Sequence, residues 1–92
     1  MFAHVVSAQA EAEGFENLTR FIREQLPGIP RQPGFRGFYL LRDAESDKLM
    51  TISLWDTNED LQASVARAAG QAAPAAAVTA PRAETYEVTL SA

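Results

Sequence analysis

Hydrophobic positions change period along the chain, and each change marks a new element. Residues 2 to 8, FAHVVSA, are β-rich and alternate loosely, with Phe2, His4 and Val6 on one face and Ala3, Val5 and Ser7 on the other. They predict a first, central strand. From Gly14 the period becomes helical: Phe15, Leu18, Ile22 and Leu26 form one stripe, and Glu16, Arg20, Arg23 and Glu24 lie mostly opposite. The helix must stop before Pro27, which has no N–H to donate and disfavours helical geometry in the residue before it. PGIPRQPG, with three prolines and two glycines in eight residues, is then a stiff loop.

The runs GFRGFYLLR and KLMTISLWD flank the short polar turn DAESD and predict a β-hairpin. With Arg42 opposite Lys48, Leu41 faces Leu49, Tyr39 faces Thr51, Gly37 faces Ser53 and Phe35 faces Trp55, all on one side. Phe38, Leu40, Met50, Ile52 and Leu54 then fill the other. Neither side is charged in its middle, so both are expected to be buried. Asp56 or Thr57 supplies an N-cap for a second helix, whose apolar stripe is Leu61, Val65 and Ala68 or Ala69, up to Gly70. QAAPAAAVTAP then reads either as an alanine-rich linker or as a short helical piece around residues 75 to 80. In the closing ETYEVTLS, Tyr86, Val88 and Leu90 alternate with Thr85, Glu87 and Thr89, the pattern of a half-exposed strand.

The order is therefore β-α-β-β-α-β over a single domain spanning residues 1 to 92. This is an α+β, ferredoxin-like split arrangement: a four-stranded antiparallel sheet with strands one and three in the middle and both helices on one face. The aliphatic second face is left without a cover. A twofold homodimer through that sheet face is the economical way to bury it.

Composition narrows the functional classes. A chain of 92 residues buries only a little over ~60% of its unfolded surface, so its core is thin and a partner subunit helps it. A net charge of -4 leaves no excess of cations for phosphates, which argues against nucleic acid as a partner. With no cysteine and one histidine, His4, neither a thiolate site nor a histidine-rich metal cluster is expected. The opening MFAHVVSAQAEAE lacks a basic stretch and turns acidic early, and no apolar run approaches the ~20 residues of a membrane span. These features predict a cytoplasmic protein with no membrane partner.

PGFRGF at 33 to 38, the hairpin after it, and ISLWDTNEDL at 52 to 61 together resemble the antibiotic biosynthesis monooxygenase family of dimeric α/β barrels. Gly34, Phe35 and Gly37 stand where that family opens its second strand, and Ser53 and Trp55 where its Ser-x-Trp type strand runs into an acidic helix start. The resemblance implies a small homodimeric oxygenase, without cofactor, for a small planar phenolic or quinol-type substrate. It equally admits a non-catalytic dimeric ligand-binding or stress-response module on the same fold. The family's haem-degrading branch uses a strand asparagine, a helix tryptophan and a histidine ligand; Ser7, Ser64 and Pro74 hold those places here, leaving no evident axial ligand. Relative to the polyketide oxygenases, a strand asparagine is replaced by Thr51 and a helix tyrosine by Leu61.

The candidate site follows from both lines of reasoning. Trp55 is open to two readings, a packing residue at the end of the sheet or a pocket wall that donates its N–H or stacks on a flat ligand. Ser7, Phe35, Tyr39, Thr51, Ser53 and Leu61 would complete the lining. His4 is the one side chain whose ordinary pKa suits proton abstraction near neutrality. Its place near the terminus, on the face opposite Ser7, points instead toward the dimer interface. Arg36 and Arg42 read as solvated strand ends rather than anion grips, and Glu59 and Asp60 as helix-start electrostatics.

Overall fold

In the computed structural model, which describes residues 1–69 and 79–92, four strands and two helices follow the expected order. They are β1 (Phe2–Gln9), α1 (Ala12–Gln25), β2 (Phe35–Asp43), β3 (Lys48–Trp55), α2 (Asn58–Ala69) and β4 (Thr79–Glu87), with one turn of 3-10 helix at Ile29–Arg31. The strands form one antiparallel sheet in the order β2-β3-β1-β4, so β1 and β3 are central. The architecture is the ferredoxin-like α+β arrangement. The helical piece considered around residues 75 to 80 lies, for residues 75–78, outside the described residues; Thr79 and Ala80 already belong to β4.

Side-chain alternation gives the sheet two distinct faces. Phe2, His4, Val6 and Ala8 of β1 pair across to Trp55, Ser53, Thr51 and Leu49 of β3, and this face looks toward the helices. Ala3, Val5 and Ser7 pair with Leu54, Ile52 and Met50 on the open face. α1 lays Leu18, Phe21 and Ile22 toward the sheet, whereas Leu26, at the foot of the predicted stripe, caps the helix and is exposed. A small cluster of Ala8, Ala10 and Leu49, backed by Phe15 and Leu18, anchors α1 to the hairpin end. At the other end Trp55 and Leu61 are the most deeply buried large side chains.

Two local features correct the expected registers. Asp43 stays in the ladder opposite Lys48, its carboxylate accepting the Glu45 N–H, and the turn shortens to residues 44–47 with Asp47 at φ 55°. A bulge between Phe35 and Gly37 absorbs the resulting one-residue offset. Phe35 still faces Trp55, but Phe38 now pairs with Ser53, Leu40 with Thr51, and Tyr39 with Ile52. Tyr39 is therefore on the open face, and Phe38 and Leu40 on the helix side, the reverse of the predicted assignment.

The last strand lies earlier than the alternation of ETYEVTLS suggested. β4 spans Thr79–Glu87, and Leu90 is exposed beyond it. Pro81 lies within this strand. It is accommodated because β4 is an edge strand and the register skips between Ser7 and Gln9, so no ladder N–H is required of it.

Candidate active site

The site is assembled around the corner where β3 meets α2. Thr57 caps the helix, its hydroxyl accepting the Asp60 N–H at 3.1 Å, and the chain turns at once from Trp55 into α2. Gly34, at φ +76°, lies so close to Asp60 that a Cβ there would overlap the carboxylate, and its carbonyl accepts the Asp56 N–H at 2.8 Å. Arg36 and Asp56 form an ion pair across the outside of this corner. That contact holds the guanidinium above its ordinary pKa, the direct hydrogen bond being the larger cause.

Between the helix-side face of the sheet and the two helices lies a cavity of about 570 Å³. His4, Thr51, Ser53 and Trp55 form its polar floor, Phe38 and Val6 its apolar floor. Leu18, Phe21 and Ile22 of α1 and Leu61, Ser64 and Val65 of α2 wall it. Among the described residues no carboxylate lines it, and Arg67 is the single arginine or lysine that does.

Trp55 is 1% exposed, meets Phe35 edge to face at 5.6 Å between ring centroids, and donates its indole N–H to Ser53 Oγ at 3.0 Å. The indole N–H is therefore engaged within the protein. His4 lies opposite Ser53 in the β1–β3 ladder, and its imidazole is part of the cavity wall. Its Nδ1 is buried without a hydrogen-bond partner, and burial pushes its pKa below the ordinary 6.5. At neutral pH it is an uncharged imidazole with a free acceptor or donor nitrogen.

The structure brings together His4, Thr51, Ser53, Trp55 and Leu61 around one cavity, with Phe35 behind the indole. Ser7 and Tyr39 are not with them: Ser7 pairs with Met50 and Tyr39 with Ile52, both on the open face. His4 moves the other way, off the proposed interface and into the cavity, because β1 alternation groups it with Val6 and not with Ser7. Sequence reasoning missed Arg67 and Gln32, whose side chains meet at 3.0 Å on the cavity wall. A signal was available, since no acidic residue occurs between Asp60 and Glu84 to pair with Arg67 along its own helix. Metal ligation finds no support in the donor set: no group of three or more His, Asp or Glu side chains converges among the described residues.

A four-stranded split sheet, roofed by two helices over a largely apolar cavity whose described lining carries no carboxylate, defines a small ferredoxin-like protein with a ligand-sized pocket. Residues 1–76 match the profile of the antibiotic biosynthesis monooxygenase family, and the chain belongs to that family. β4, beyond the matched residues, completes the same sheet by pairing with β1.

Among solved structures, the haem degrader MhuD from Mycobacterium tuberculosis, with two haems bound in its active site, is similar at a TM-score of 0.77 and 22% identity, over 100% of this chain and 99% of that one. A mutant of SnoaB, a cofactor-independent oxygenase from Streptomyces nogalater, is similar at 0.69 and 20%, over 98% and 94% of the two chains. A protein of unknown function from Nitrosomonas europaea is similar at 0.71 and 19%, over 99% and 91%. At these identities the likeness is one of fold. A sequence search of curated proteins gives no match.

Proposed function

We propose that the protein is a cofactor-independent monooxygenase acting on a small planar phenolic or quinol-type substrate held in the cavity between sheet and helices. The observation that carries this reading is His4, an uncharged imidazole with an unpartnered buried nitrogen in the wall of a cavity whose described lining lacks carboxylates. A base of this kind takes the phenolic proton and leaves an electron-rich anion in an apolar enclosure. The anion itself reduces dioxygen: a C–O bond forms, the peroxide O–O bond then breaks, one oxygen stays as a quinone-type carbonyl and the other leaves as water. Ser53, Thr51 and the face of Trp55 orient the ring, which is the positioning that such chemistry asks of a protein.

The open face carries Tyr39, Leu41, Met50, Ile52 and Leu54, with Tyr39 and Leu41 well exposed in the isolated chain. This apolar surface supports a twofold homodimer through the sheet, with one cavity per subunit on its outer side. Among the described residues no helix is long and apolar enough to cross a membrane. The acidic, cysteine-free composition suits the cytoplasm.

Haem, bound by the MhuD neighbour, does not fit the donors here. His4 is the chain's one histidine, and it lies on the strand floor. α2 offers the cavity Ser64, Val65, Arg67 and Ala68, and the segment after it contains no histidine. An axial ligand is thus lacking where the haem-degrading branch has one.

Non-catalytic ligand binding is favoured by one observation, the engagement of the Trp55 N–H with Ser53, which leaves the indole a wall rather than a donor. Turnover of a model hydroquinone or anthrone with and without dioxygen separates the two. Oxygen-dependent product formation that falls at least tenfold in the His4→Leu variant is the expected result. Equal aerobic and anaerobic rates would remove the oxygenase reading and leave the binding module.

A further inference from the structure

The cavity has a charge at one end that the chemistry above does not use. Arg67, on the last turn of α2, is exposed and also lines the cavity, which places it at the cavity's solvent edge. Its guanidinium donates to Gln32 Oε1 at 3.0 Å and makes no ion pair among the described residues. The acids of its own helix, Glu59 and Asp60, lie in the first turn, seven or more positions away, and the sequence from Leu61 to Ala83 contains none. The described lining of the cavity supplies none either.

Such an arrangement differs from an ordinary surface arginine. A guanidinium offers five N–H donors in a rigid fork, and one contact to a neutral amide leaves most of them free. The Gln32 contact tethers the fork to the loop that follows α1, so its direction is fixed without its charge being neutralised. The Gln32 amide has donors of its own beside it. Together these groups form a donor cluster matched to the two oxygens of a carboxylate.

We propose that Arg67, positioned by Gln32, recognises a carboxylate on the ligand, so that the cavity takes planar aromatic carboxylates in preference to neutral aromatics of the same shape. This rests on the reading of the cavity as an aromatic-ligand site and adds the substrate's second functional group. His4, on the floor, acts on the ring; Arg67, at the edge, fixes which end of the molecule faces solvent.

Calorimetric titration of the purified protein with 2-naphthoate and with its neutral isostere 2-naphthamide tests it. The naphthoate is expected to bind at least about tenfold more tightly, the range of a charge-assisted hydrogen-bonded contact, with an advantage that shrinks as salt is raised. Arg67→Met is expected to abolish that advantage while leaving the naphthamide affinity within about twofold, and Arg67→Lys to retain part of it. Gln32→Leu, which leaves the charge but frees the fork, is expected to give an intermediate preference. Equal binding of both probes by the unaltered protein would overturn the carboxylate proposal and leave the aromatic site standing. Binding of neither probe would remove both.

Discussion

Trp55 donates its indole N–H to the hydroxyl of Ser53, two residues earlier on the same strand and the same face. The bond closes a loop between the most buried aromatic side chain and the polar floor of the cavity. Ser53→Ala would leave a buried indole donor without a partner, at about 1–3 kcal/mol. Chemical denaturation followed by tryptophan fluorescence reports it cleanly, since Trp55 is the single tryptophan of the chain. An unchanged midpoint would mean that the indole N–H finds another acceptor.

Trp55→Phe separates packing from ligand contact. It removes the Ser53 bond and part of the edge-to-face contact with Phe35. If the indole is chiefly a core residue, the melting temperature falls, and ligand affinity changes only as far as folding does. If it is chiefly a cavity wall, binding weakens more than tenfold in samples that remain fully folded.

Gly34→Ala is expected to destabilise the chain by more than the ~1–2 kcal/mol of an unfavourable left-handed backbone, because the added methyl also overlaps Asp60. Combining it with Asp60→Ala should recover only part of the loss, since Asp60 Cβ itself lies 2.8 Å from the new atom. Full recovery in urea titrations would show that the carboxylate alone is the obstacle.

The pH dependence of stability should carry the mark of His4. Its folded-state pKa lies below the ordinary 6.5, so between those two values the unfolded chain binds more protons than the folded one. The contribution is complete above pH 6.5 and is lost as pH falls toward the folded pKa, with a slope of at most about 1.4 kcal/mol per pH unit. The His4→Leu variant should lack this component, so the difference between the two stability curves isolates it from the carboxylates. Parallel curves between pH 7 and 5 would contradict the burial of a neutral imidazole.

Ile52→Glu places a charge in the middle of the open face, far from the cavity side of the sheet. Sedimentation of the unaltered protein is expected at twice the 10.0 kDa chain mass and of the variant at the chain mass. A monomeric unaltered protein would refute the sheet-to-sheet association.

Much of this architecture is legible in the sequence because it depends on local period. The alternation in KLMTISLW assigns Thr51, Ser53 and Trp55 to the helix side, and the stripe Leu61, Val65 and Ala68 is the one that α2 presents to the cavity. Side-chain phase across a hairpin is harder. It depends on one residue of turn length and one bulge, neither of which the hydrophobic pattern constrains when both faces are apolar. That is why Tyr39 and Phe38 exchange places. His4 and Ser7 pose a different problem: a rough match to a family position favoured Ser7, whereas the alternation of β1 places Val6 and His4 inside. The Arg67–Gln32 contact joins residues 35 positions apart and has no local signature beyond a missing acid.

The bulge at Arg36 makes β2 a strand of two phases. Ahead of it Phe35 pairs with Trp55; beyond it every side chain has been turned over relative to an unbroken ladder. Deleting that one residue would therefore leave both registers in place, whereas keeping it and flattening the bulge into the ladder would carry Tyr39 to the cavity side and Phe38 to the open face, without any position being substituted. The spare residue thus holds together two registers that one unbroken strand of this length could not, and the edge of the sheet is where such a residue is least costly to keep.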